Sequence, residues 1–161
     1  MSGSRIEGSV MEAKAEWIPA EQAARRLAGH ANAAGGQEII WIFGLDEDAY
    51  KLAPLDGTDP SKWLSQLESQ FENGHMPRLA QHRTVTVTGG TVHACQFDTL
   101  DAPYVVRNPK FGTAGHSIER EVPWREGAST RTARRADLLK LLLPISRIPP
   151  NRNSERMGQR Q

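Results

Sequence analysis

Residues 39–45 read IIWIFGL, seven positions without a charged or hydrogen-bonding side chain other than the Trp41 indole. A strand that is apolar at successive positions has no face to give to water, so this run predicts a central strand of a sheet rather than a half-solvated edge. What precedes it narrows the architecture further. Ala20, Ala23, Ala24, Leu27, Ala28 and Ala31 recur at helical spacing, a narrow stripe of small residues suited to close packing on a sheet. Pro19 opens that helix in its first turn, where a missing N–H costs nothing. Asn32 and Gly35-Gly36 are expected to supply the left-handed stop that ends it. The apolar run then closes in Asp46, Glu47 and Asp48. Carboxylates avoid buried places unless paired, so this end is either a solvent-facing turn or a strand-end site for a cation or a basic partner.

The remaining elements follow from the same periodicities. Residues 9–17, SVMEAKAEW, predict a strand with Glu12, Lys14 and Glu16 on one face and Met11, Ala13, Ala15 and Trp17 on the other. Asp59 is placed as N-cap and Pro60 as first residue of a helix with Trp63, Leu64, Leu67 and Phe71 inward, stopped by Asn73-Gly74. Two β-rich segments around Gly89-Gly90 predict a hairpin over 82–97. Short strands are expected at 103–108 and 118–125, and a last helix in TARRADLLKLLLP, closed by Pro144. That helix has more leucines than one face needs, so it covers the sheet, meets a twin subunit or is packed by a further domain. The fold class expected is α+β: one domain over 1–143, with a mixed, mostly antiparallel sheet flanked by about three helices, then an Arg-rich tail over 144–161.

Charge is distributed unevenly. Residues 1–119 hold ten Lys/Arg against fifteen Asp/Glu, whereas residues 120–161 hold ten against four. An Arg-rich, basic end suits phosphate, which guanidinium groups bind bidentately. The single cysteine, Cys95, excludes an intrachain disulfide and any multi-cysteine zinc site, and is most simply a small buried residue. No apolar stretch approaches the length of a membrane span, so the expected setting is cytoplasmic.

Three pieces stand in order: EGSVMEAK; HANAAGGQEIIWIFGLDED; and APYVVRN followed by WREGASTRTA. Together they resemble the Schlafen-type AlbA-like domain over roughly residues 5–140, the span across which element-level reading is reasonable. The resemblance implies nucleic-acid binding and, by analogy with vertebrate members, a metal-dependent endoribonuclease acting on structured RNA such as tRNA. It places the acidic trio that would bind Mg²⁺ or Mn²⁺ on Glu7, Glu12 and Asp46, with Lys14 following. It implies too that one such domain would have to dimerise to imitate the family's two-lobed horseshoe. Ala13 departs from the usual aromatic at its position.

The residues themselves leave two readings of that trio. Oxygen ligands from carboxylates suit Mg²⁺ or Mn²⁺. Glu12 and Asp46 could meet on adjacent strands, while Glu7 needs a bend at Gly8 to join them. The plainer alternative is a Lys–carboxylate pair on a solvated face. Arg125, Arg131, Arg134 and Arg135 surround a Gly-Ala-Ser-Thr turn leading into the last helix, so Ser129, Thr130 and the helix start are expected to form an anion pocket that these arginines reinforce. The partner expected is therefore RNA, with DNA as the alternative. A non-catalytic DNA- or RNA-binding regulatory or assembly module is the competing function, and a homodimer or further protein partner through the Leu-rich helix is the expected assembly.

Overall fold

The computed structural model describes residues 10–49 and 51–143. In chain order its elements are β1 (Met11–Lys14), α1 (Ala20–Ala33), β2 (Ile39–Phe43), β3 (Leu45–Asp46), β4 (Lys51–Leu52), α2 (Pro60–Glu68), a 3₁₀ turn (Glu72–Gly74), β5 (Arg78–Val87), β6 (Gly90–Asp98), β7 (Val106–Arg107), β8 (Arg120–Glu121), β9 (Pro123–Glu126), β10 (Ser129–Thr132) and α3 (Arg135–Leu142). The main sheet runs β1-β2-β6-β5. β1 and β2 are parallel; β2 with β6 and β6 with β5 are antiparallel. The fold is the α+β arrangement with a mixed, mostly antiparallel sheet. Three two-stranded ribbons, β3-β4, β7-β8 and β9-β10, complete it.

The apolar run becomes β2, held between β1 and β6 as a central strand. Ile39, Trp41 and Phe43 are fully buried, whereas Ile40 and Ile42 on the other face are half-buried. The core lies on the first of these faces. Trp17 stacks on Phe43 at 4.3 Å and meets Trp63 at 5.0 Å, while Leu27, Leu67, Phe97 and Val106 close the remaining space. Burying each such side chain contributes about 1.5–3 kcal/mol.

α1 packs by the stripe its spacing predicts, with Ala23, Ala24, Leu27, Ala28 and Ala31 buried. Small residues let it lie close on β9. A side chain at Gly29 would bring its Cβ to 2.7 Å from Thr130 Cγ2, so glycine sets the distance between the helix and the β9-β10 ribbon. The helix stop differs from the expectation in one respect. Gly35 and Gly36 adopt left-handed φ of 63° and 85°, but Asn32 lies inside the helix. Its side chain donates to the carbonyls of Tyr104 (3.0 Å) and Pro123 (2.8 Å) and accepts from Tyr104 N–H (2.8 Å). A buried amide with three backbone partners is a tether between segments, not a terminator.

α2 begins as predicted, with Asp59 Oδ1 accepting from Ser61 N–H at 2.9 Å and Pro60 at the first position. It ends at Glu68, so Phe71 is buried from an extended segment bridged to Val106 rather than from the helix. The β5-β6 hairpin turns at Thr88-Gly89. In α3 the one buried residue is Asp137; Leu138, Leu139 and Leu141 are half-buried, and Leu142 and the following Leu143 are 64% and 63% exposed. Among the described residues no helix is long and apolar enough to cross a membrane. The tail over 144–161 and Glu7 lie outside the described residues.

Candidate nucleic-acid interface

β1 is the edge of the sheet, and the register Glu12–Trp41 and Lys14–Phe43 puts its charged residues on the core side. Met11 and Ala13 take the opposite face, with Ile40 and Ile42. This inverts the ordinary amphipathic strand, and the inversion is satisfied by basic groups brought from elsewhere. A cavity of about 430 Å³ opens where β1, α1 and the β9-β10 ribbon meet. Lys14, Arg25, Arg26 and Arg125 line it, with Glu12 as the one carboxylate in its wall; with Arg25 paired to Glu121 beyond the wall, a surplus of two positive charges remains. Gln22, Ser129 and Thr130 add hydrogen-bonding groups.

Glu12 is bracketed. Its Oε1 accepts from Lys14 Nζ, and its Oε2 lies 2.8 Å from Arg125 Nη1. Its side chain is 14% exposed. Burial pushes the carboxyl upward, but the hydrogen bond and charge of Lys14, with the charge of Arg125, outweigh it and hold Glu12 below the usual carboxylate range. Arg125 is further oriented by donating from Nε to Gly127 O at 3.0 Å. Arg25 reaches the other way, to Glu121 Oε1 at 2.6 Å and Thr130 O at 2.9 Å, while Thr132 Oγ1 donates to Glu121 Oε2 at 2.7 Å. These contacts fix α1 to β8 and β10. Arg26 is exposed and has no ion-pair partner among the described residues.

The residues singled out from the sequence separate into two groups. Glu12, Lys14, Arg125, Ser129 and Thr130 converge on the cavity. Ser129 and Thr130 do so from strand β10, not from a helix start: the turn at Gly127-Ala128 is a β-ribbon turn, and α3 begins only at Arg135. Its N-terminus is capped by Asp137, whose Oδ2 accepts from Arg134 N–H at 2.8 Å. Arg131 is held away from the cavity by Glu126 (3.0 Å) and Asp137 (2.6 Å), which ties β10 to α3. Arg134 and Arg135 are exposed and lie outside the cavity wall. Trp124 pairs with Arg131 across the ribbon and likewise stays out of the wall.

Asp46 does not line the cavity. The chain leaves β2 at Gly44, whose N–H donates to Lys14 O at 2.9 Å, and passes into β3, where Asp46 pairs with Lys51. Asp46 Oδ1 accepts from Ala49 N–H at 2.9 Å in its own turn. Among the described residues no group of three or more His, Cys, Asp or Glu is placed to hold a metal. Glu12 has both oxygens on cations, and Asp46 accepts within its own turn.

Arg25 and Arg26 were not singled out from the sequence, yet the signal was present. Gln22, Arg25, Arg26 and Gly29 recur at i, i+3, i+4 and i+7, a second stripe beside the alanines. His30 serves packing: Trp41 Nε1 donates to its Nδ1 at 3.1 Å. His82 and His93 meet across the hairpin, Nε2 to Nδ1 at 3.1 Å. Cys95 is buried, its thiol pushed up to about 11 by desolvation.

No family model and no curated protein matches the chain. Among solved structures it is similar to the DIP2311 protein from Corynebacterium diphtheriae, with a TM-score of 0.52 and 19% identity. The match covers 86% of this chain and 22% of that one, and the likeness is one of fold.

Proposed function

We propose that this protein is a cytoplasmic nucleic-acid-binding domain of the Schlafen AlbA-like kind, with RNA as the favoured ligand, and that the β1–α1–β9/β10 cavity receives its phosphate backbone. The supporting observation is the convergence of Lys14, Arg25, Arg26 and Arg125 on one concave wall, against Glu12 in that wall and Glu121 behind it. Such a cluster binds phosphate by charge-assisted hydrogen bonds and with little regard to sequence. The ordered Glu-x-Lys, Gly-Gly and Arg-x-Gly pieces give the reading its family. The test is anisotropy with labelled tRNA and with double-stranded DNA between about 50 and about 200 mM salt. Binding should weaken with salt, with a slope reduced by about one in each of Lys14→Ala and Arg125→Ala. Absence of binding at low salt, or binding indifferent to both substitutions, overturns the proposal.

A second reading, a metal-dependent endoribonuclease acting on structured RNA, draws on the place of Glu12 in the wall of the same cavity. It requires Glu7, and Mg²⁺ or Mn²⁺ held with Asp46. Cleavage of tRNA that needs metal and disappears in a Glu12→Ala, Asp46→Ala double variant establishes it. Salt-sensitive binding without cleavage leaves a regulatory or assembly module. We place the homodimer or protein-partner contact on the exposed Leu142 and Leu143, tested by sedimentation of a Leu142→Lys, Leu143→Lys variant.

A further inference from the structure

The basic surface continues beyond the first cavity. A second, of about 250 Å³, shares Arg25, Pro109 and Thr130 with it and adds Lys110, His116 and Thr132. Glu121 lies in its wall, but both its oxygens are engaged by Arg25 and Thr132. The loop over 108–119 that supplies Lys110 and His116 is closed on itself. Asn108 N–H donates to Glu119 O (2.8 Å), Asn108 Nδ2 donates to Ile118 O (3.0 Å), Lys110 N–H donates to Asn108 Oδ1 (3.0 Å), and Gly112 N–H donates to His116 O (3.1 Å). A loop so bonded holds its shape before any ligand arrives. It holds Phe111 44% exposed, one position beyond the cavity-lining Lys110.

An exposed aromatic ring on a loop that also carries a lysine to a cavity wall is suited to single strands: the cation follows the backbone and the ring stacks on a base. Resting on the nucleic-acid reading above, we infer that this second cavity and its loop form a subsite for an unpaired nucleotide. Arg25, Lys110 and His116 face the phosphate following the one in the first cavity, and Phe111 stacks on the base. A duplex offers the same backbone but keeps its base faces stacked inside, so Phe111 contributes to single strands alone.

The experiment compares the intact chain with Phe111→Ala and Phe111→Trp, using a labelled single-stranded oligouridylate and a blunt RNA duplex of equal length. Phe111→Ala should weaken the single strand about tenfold while changing the duplex by less than about twofold, and Phe111→Trp should retain single-strand affinity. An unchanged single-strand affinity in Phe111→Ala, or an equal loss on both ligands, overturns the subsite and leaves the phosphate-binding proposal standing. If the intact chain binds neither ligand, both fail.

Discussion

Arg125 Nη1 lies 2.8 Å from Glu12 Oε2, joining the β9-β10 ribbon to the edge strand of the sheet. Both side chains are mostly shielded, at 15% and 14% exposure. Arg125→Ala therefore removes one of the proposed phosphate ligands and also leaves Glu12 with Lys14 alone. Affinity for nucleic acid is expected to fall about tenfold, and Arg125→Lys to recover little of it, because a lysine cannot hold Glu12 and Gly127 O together from fixed positions. Titrations of both variants, with melting temperatures to verify folding, check this; full recovery in the lysine variant would contradict it.

Acid should separate the contribution of Glu12 from that of the other carboxylates. Its carboxyl is held below the ordinary 4.5, so its stabilisation is complete above the unfolded value and is lost as pH falls through the folded one. The intact protein is expected to lose stability below pH 4.5, and Glu12→Gln to lose less over that window. Glu126 and Asp137 are also held low, by Arg131, and contribute equally to both proteins. Urea midpoints followed from about pH 7 to about pH 3 give the difference, and parallel curves would remove Glu12 from the account.

Arg131 distinguishes a fold-holding arginine from a ligand-holding one. With Arg131→Met, Asp137, 7% exposed, keeps the Arg134 N–H but loses its charge partner. A loss of stability is expected, because the carboxylate that caps α3 is deprived of its counter-ion. Affinity for nucleic acid should stay within about twofold at a temperature where the variant is folded. A large loss of affinity at preserved stability would place Arg131 among the ligand contacts.

Asn32 is expected to be the most costly polar substitution in α1. Asn32→Ala strips partners from two carbonyls and one N–H in the interior, each worth about 1–3 kcal/mol when left unsatisfied. Asn32→Asp should fare no better, since a carboxylate would face the two carbonyls without a proton to give. Chemical denaturation of both variants decides it; a loss below about 1 kcal/mol in Asn32→Ala would show that the segments it tethers are held by packing alone.

The elements of this chain are legible locally because each rests on a local cause. The alanine stripe of α1, Asp59-Pro60 at the start of α2, and Gly89 in the hairpin turn act within a few residues, and the structure has them where the spacing puts them. The apolar run of β2 similarly determines a central strand. Facing and convergence are not local. Alternation shows that Glu12 and Lys14 share a side of β1, but which side meets the core depends on where α1 and the β9-β10 ribbon pack. The bend at Gly44 takes Asp46 into a ribbon of its own, where it pairs with Lys51. Arg125 and Arg131 are both arginines of one ribbon, yet Arg125 points to the cavity and Arg131 to α3, because adjacent strands pair them on alternate faces and different carboxylates wait on each. Local propensity determined the pieces; only the tertiary structure decided which charges meet, because that pairing is made between segments about a hundred residues apart, as Arg25 and Glu121 are.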